Sequence, residues 1–228
     1  MGLGRSLVNG TFHKGREGHL YGAARIDSII IPDFFHSLRA RQNIDLSDPA
    51  TSPVRVFRDK DGKLTAIDNL GRLLLYQQRG HALVDVEVLD ESSGFTRRQA
   101  EDMATAYAIR TDCATVEQAL DFFDRHHLNR SEVYERGLLT PRRDGSPSPA
   151  AQIAWNLHVH ASKPLRKRLA EGGISLDHAS RIAVLAPGDT EAQQYALRQL
   201  DSKRRFKWDT IEKRVVKFID KRLQKFID

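Results

Sequence analysis

Residues 148–186, SPAAQIAWNLHVHASKPLRKRLAEGGISLDHASRIAVLA, decide how the chain is read, because they divide into three helices with chemically marked starts and stops. Ser148 can accept a hydrogen bond from an orphan amide at a helix N-terminus. Pro149 suits the first helical position, where a missing N–H is harmless. In the helix that follows, Ile153, Trp155, Leu157 and Val159 are the larger apolar residues. Gln152, Asn156 and His160 recur at every fourth position and share one face, with side chains able to meet base edges in a DNA groove. Pro164 opens a second helix carrying Lys163, Arg166, Lys167 and Arg168, and Gly172 and Gly173 stop it, since glycine tolerates the left-handed helix end. Ser175 starts a third.

Working outward, the 228 residues suit one or two domains, and 40% hydrophobic content builds packed cores but not a membrane protein. No run of about 18 apolar residues occurs, and the first residues hold no apolar segment of signal-peptide length, so a cytoplasmic protein without a membrane partner is expected. A single cysteine, Cys113, excludes an intramolecular disulfide and a thiolate metal site. The net charge of +6 lies in the C-terminal stretch, where residues 198–228 carry eleven Lys and Arg against five Asp and Glu.

Residues 1–24 are glycine-rich and polar without periodicity and read as a mobile arm. RIDSIIIP reads as a buried strand, and VRVF, KLTAID and LVDVEVLD alternate as half-buried strands do. Asp59-Lys60-Asp61-Gly62 resembles the start of a calcium loop, but Leu70 stands where that loop needs its bidentate glutamate, so a hairpin turn is expected. GRLLLYQQRG links two of these strands through a helix, which points to a small mixed α/β domain over residues 25–91. Thr96 with Gln99, and Thr115 with Gln118, make capping boxes for two helices of a helical domain over residues 95–200. LNRSEVYERGLL adds a short helix, and TPRRDGSP, with Arg142 and Arg143, is a polar loop. Residues 201–228 form a basic amphipathic C-terminal helix.

Several segments resemble the ParB partition-protein family. AYAIRTDCATVEQA, residues 106–119, is similar to the family's ENIQREDLSPIEEA without gaps. SEVYERG looks like the first helix of the family's helix-turn-helix and SPAAQIAWNLHVH like its recognition helix. ASKPLRKRLAEGGISLDHASRIAVL is similar to the typical LPEPVRELLAEGKISEGHARALL. AIDNLGRLLLYQQRG resembles VIDGHHRLAAYQRLG of the ParB and sulfiredoxin-like domain, and the likeness spans about residues 25–190. It implies an α+β chain in which a small mixed α/β ParB/sulfiredoxin-like domain precedes an all-helical helix-turn-helix domain and the basic C-terminal helix.

The resemblance also implies a nucleotide, CTP with Mg2+, held through a Gly-Glu-Arg-Arg box and a Glu-Asn-x-x-Arg motif. Here the first is Asn69-Leu70-Gly71-Arg72 and the second Ala106-Tyr107-Ala108-Ile109-Arg110, so only Arg72 and Arg110 remain to pair with phosphate, and Ala106 offers no oxygen to a cation. A standard CTP switch is therefore not expected. Sulfiredoxin chemistry lacks its cysteine, since Cys113 lies far past the motif. Residues 137–147 also separate the two candidate helices by more than the usual short turn, and the pairing of TVEQALDFFDRHH with NRSEVYERGLL would instead present Glu132 and Glu135 to DNA.

The expected function is sequence-specific binding of double-stranded DNA, in plasmid or chromosome partition or in mobile-element regulation. Ser148, Gln152, Asn156 and His160 make the reading helix, and Arg142, Arg143, Lys163, Arg166, Lys167 and Arg168 hold phosphates. A homodimer on paired half-sites and a ParA-type ATPase are the implied partners. Two other classes stay open. Asp85 and Glu87 alternate onto one strand face, where two carboxylates can share a divalent ion in a nuclease or nucleotidase. An adaptor would instead use the basic tail to bind a protein. His158 and His160, two apart on a helix, point away from each other, and no catalytic residue or metal site is assigned.

Overall fold

In the computed structural model, residues 12–14, 20–32, 53–139, 148–202 and 207–225 are described. The fold is α+β, and the chain divides into two compact units, Met1–Ala114 and Thr115–Asp228.

The first unit is built on a mixed sheet. Its strands are β1 (Phe12–Lys14), β2 (Leu20–Arg25), β3 (Ile29–Ile30), β4 (Val54–Arg58), β5 (Leu64–Asp68) and β6 (Leu83–Asp90), in the order β1-β2-β6-β4-β5-β3. β4 and β5 form the expected hairpin. Asp59 Oδ1 accepts the amides of Asp61 and Lys63 at 2.9 and 2.8 Å, and Gly62 takes a left-handed φ of 82°. Helix α1 (Leu70–Gln78) buries Leu70, Leu73 and Leu75 and runs from β5 to β6. These two strands flank β4, which is antiparallel to β5 and parallel to β6, so α1 does not join two neighbouring parallel strands.

The structure departs from the sequence pattern at three places. The stretch read as a mobile arm contains β1 and β2, and β2 pairs along its length with β6. RIDSIIIP is not one strand: Arg25 ends β2, a single 3-10 turn covers Ile26–Ser28, and β3 then pairs parallel to β5. Helix α2 (Arg97–Arg110), expected to open the helical domain, belongs to the first unit, where Ala100, Ala104 and Ala108 let it lie close on the sheet at β5.

The second unit is helical. It comprises α3 (Val116–His126), α4 (Arg130–Glu135), α5 (Pro149–His160), α6 (Lys163–Ala170), α7 (Leu176–Leu185), α8 (Thr190–Leu200) and α9 (Trp208–Gln224). Local capping sets most of the starts. Thr115 with Gln118 and Asn129 with Glu132 close capping boxes, and Ser148, Ser175 and Asp189 accept amides of their first turns. The core joins Leu157, Leu165, Ile182, Ala196, Ile211 and Val215, so the C-terminal helix α9 docks on this unit through its apolar face. Phe218 of α9 stacks on Tyr195 of α8 at 4.5 Å, and Arg222 pairs with Asp189 at 2.9 Å. Among the described residues no helix is long and apolar enough to cross a membrane.

Candidate nucleic-acid interface

α5 lies against α3 on one side and α7 on another, which fixes which of its faces remains available. Ser148 Oγ accepts the Ala151 amide, and Ala151, Ala154, Trp155 and Leu157 are buried. Trp155 meets Phe123 of α3 edge-on, with ring centres 5.7 Å apart.

A polar lock reinforces this packing. His158 places Nδ1 2.6 Å from Asp124 Oδ1 and Nε2 3.1 Å from the Leu128 carbonyl. Arg166 donates to both Asp124 oxygens, at 2.5 and 3.2 Å, and to the carbonyls of Leu157 and His158, both at 3.0 Å. Burial opposes ionisation of Asp124, but the bonds from Arg166 and His158 outweigh it and hold the carboxyl below its ordinary range. Arg166 was expected to hold phosphate; it is instead turned inward to satisfy a carboxylate and the last carbonyls of α5.

Gln152, Asn156, Val159 and His160 of α5, with Trp155 and His158 beside them, line an open cleft between α4 and α5 together with Asn129, Arg130 and Tyr134. Gln152 and Asn156 are half-buried and joined: Gln152 Nε2 donates to Asn156 Oδ1 at 2.9 Å, and Asn156 Nδ2 donates to Ser180 Oγ of α7 at 3.2 Å. At the end of the helix the His160 carbonyl accepts from Gln193 Nε2 at 2.7 Å and from the Gly188 amide at 3.0 Å. α4 ends at Glu135 and the chain turns at Gly137, whose φ is 66°, so that helix does not extend through residues 138 and 139.

The cations expected around this face divide into different situations. Lys163 and Lys167 are exposed, the latter 3.8 Å from Glu171. Arg168 reaches Asp201 at 2.8 Å on the surface. Arg142 and Arg143 lie outside the described residues. Three contributors went unnoticed in the sequence: Ser180, Asp124 and the fully buried Gln193. Gln193 alone carried a signal, a polar residue on the apolar stripe with Ala192 and Ala196.

In the first unit, Arg72 and Arg110 serve different carboxylates. Arg72 is 6% exposed on α1, with its guanidinium 3.3 Å from the Tyr76 hydroxyl and 3.8 Å from Asp85. Arg110, at the end of α2, lies 3.9 Å from Asp68, which Arg55 approaches at 3.7 Å. The Gly71 amide, in the first turn of α1, donates to the Tyr107 hydroxyl at 3.3 Å. Asp85 and Glu87 are likewise separated in role. Asp85 is exposed beside Arg72, whereas Glu87 is buried and accepts from Tyr21 at 3.0 Å and Arg55 at 2.6 Å. Among the described residues no group of three or more His, Cys, Asp or Glu is placed to hold a metal ion.

No protein-family model matches the chain, and no curated protein matches it. Among solved structures it is similar to the C-terminally truncated chromosome-partitioning protein ParB from Caulobacter crescentus complexed to the centromeric parS site. That likeness is at 14% identity and a TM-score of 0.41, over 86% of this chain and 98% of that one. The same truncated protein complexed with CTP-gamma-S is similar at 13% identity and a TM-score of 0.27, over 76% of this chain and 97% of that one. A pNOB8-like ParB N-domain is similar at 16% identity and a TM-score of 0.31, over 92% and 76% of the respective chains.

Proposed function

We propose that the chain is a ParB-like, sequence-specific double-stranded DNA-binding protein that acts in plasmid or chromosome partition, or in regulation of a mobile element. The observation that carries this reading is the backing of α5. Trp155 and His158 fix it to α3, with Arg166 of α6 bonded to the same Asp124, and Gln152, Asn156 and His160 line an open cleft that Trp155 and His158 also border. A rigidly backed helix with carboxamides on its outer face suits base-edge contacts in a major groove, and the exposed Lys163 and Lys167 suit neighbouring phosphates. The ParB-like segments across residues 106–185 agree with it.

The residues at the first unit's candidate phosphate site do not fit a magnesium-bound nucleotide. Ala106 provides no oxygen, the Gly71 amide is taken by Tyr107, and Arg72 and Arg110 are each paired with a carboxylate. The protein accordingly reads DNA without the metal-dependent CTP switch. It binds as a homodimer on paired half-sites, with a ParA-type ATPase as the partner if partition is the process.

The test is selection from a genomic DNA library by the full chain at two salt concentrations. A recurrent motif is expected from the wild type, and Gln152→Ala should erase the preference while leaving salt-sensitive non-specific binding. Unchanged preference in that variant, or no DNA retention by the wild type at either salt concentration, would overturn the reading.

A further inference from the structure

We propose that Ser180, on α7, sets the specificity of the α5 reading face. Acting through Asn156, it fixes the carboxamide of Gln152, so that Gln152 is the base reader and Asn156 a positioning residue. The inference rests on the reading of α5 as the DNA-facing helix.

The geometry is a relay. Ser180 is buried, at 6% exposure, and lies between Ala179 and the buried Ile182 and Ala183 on the side of α7 that faces the core. Its hydroxyl stands 3.2 Å from Asn156 Nδ2, and Asn156 Oδ1 stands 2.9 Å from Gln152 Nε2. Asn156 thus has both ends of its amide engaged inside the protein and is badly placed to pair bidentately with a base. Gln152 has one N–H engaged. Its carbonyl oxygen accepts no bond from Asn156, and a carboxamide's oxygen with the N–H syn to it complements N6 and N7 of adenine.

A glutamine free to rotate would lose rotamer freedom on reaching a base, and a glutamine already held by its neighbour loses less, so the relay favours the correct base by preorganisation. Ser180 itself cannot touch DNA from its buried position. The hydrogen-bonded route from Ser180 to the reading face runs through Asn156.

The experiment compares the full-length wild type with Ser180→Ala, Asn156→Ala, the double variant and Gln152→Ala. Each is assayed on the DNA motif selected by the wild type, on single-base variants of that motif and on unrelated duplex, well below the thermal midpoint. Ser180→Ala should lower discrimination at the base pair read by Gln152 by about 3- to 10-fold, the range expected for freeing one side chain, and leave affinity for unrelated duplex unchanged. Asn156→Ala should do the same, and the double variant should lose no more than either single one, because both break one chain of bonds. Ser180→Thr, which keeps the hydroxyl, should restore discrimination; if the extra methyl prevents folding, Ser180→Cys, a weak hydrogen-bonding group of similar size, should give an intermediate loss.

Full discrimination in Ser180→Ala with loss in Gln152→Ala would overturn the relay and leave the DNA-reading role intact. A parallel loss of specific and unrelated binding would make Ser180 a packing residue and also overturn it. Absence of any preference in the wild type would remove the underlying reading, and the relay with it.

Discussion

Replacing Gln193 with leucine should destabilise the helical unit by about 1–4 kcal/mol. The side chain is fully buried and binds three backbone groups: it accepts the Ser162 amide at 2.8 Å and donates to the carbonyls of His160 and Ala186, both at 2.7 Å. Leucine fills the space and leaves those groups to other partners. The two carbonyls each keep one, the Gly188 amide for His160 and the Asp189 amide for Ala186, so each loses a bond of about 0.5–1.5 kcal/mol. The Ser162 amide, in a residue only 8% exposed, is left with no acceptor, at about 1–3 kcal/mol. Burial of the leucine methyls offsets about 1–2 kcal/mol of the total. Gln193→Glu should cost more than leucine at pH 7, because a carboxylate would face two carbonyl oxygens, and less at pH 5, where a protonated acid can donate once. Urea titration followed by tryptophan fluorescence reads the effect, since both tryptophans, Trp155 and Trp208, lie in this unit. A loss under about 1 kcal/mol for leucine, or a glutamate variant as stable as the leucine one at pH 7, would refute the assignment of Gln193 as the clamp between α5, α6 and α7.

Asp124 titrates low because Arg166 and His158 outweigh the effect of its burial; its stabilising contribution is therefore complete above the unfolded carboxylate value of about 3.9 and is lost as pH falls through the lower folded value. Asp124→Asn should flatten the acid limb of a plot of urea midpoint against pH, and an unchanged limb would show that the lock does not titrate. In the first unit, Arg55→Ala removes the guanidinium from buried Glu87 and should cost about 2–3 kcal/mol, less than for a fully buried pair because Arg55 is 40% exposed. Thermal melting by circular dichroism checks this, and the double variant with Glu87→Gln should recover part of the loss. Lys163→Ala with Lys167→Ala should lower the slope of log affinity against log salt by about 2 with the selected motif unchanged, whereas Arg166→Ala should lower the urea midpoint without that slope change.

Where information was local, the sequence was a good guide. Thr96 with Gln99, Thr115 with Gln118, Ser148 and Ser175 start the helices they are expected to start, because a cap needs only residues within one turn. The hairpin at Asp59–Gly62 and the spacing of Gln152, Asn156 and His160 are of the same kind. Long-range pairing was not legible. LYGAAR shows little alternation, and it becomes a strand because β6 offers it a full ladder. α2 carries a capping box that marks its start but not its neighbour, and its alanines fit it to a sheet as well as to a helix. Among adjacent basic residues, only geometry separates Arg166, which faces Asp124, from the exposed Lys167. Asn156 has the residue type and spacing of a base reader, and what the sequence hides is that Ser180, 24 residues on, holds its amide.

The pairing of β2 with β6 has a consequence for how the chain is made. Tyr21 and Glu87 stand side by side in the sheet although 66 residues separate them, so β2 leaves the ribosome long before its partner exists. Loop closure over that span is slow, and β2 must wait with only β1 beside it while the hairpin of β4 and β5 can already form. The helical unit, emerging after the sheet, contains the short-range pairing of α8 with α9, which should form quickly. Nascent-chain release after residue 90 should therefore mark the first length at which the sheet resists proteolysis.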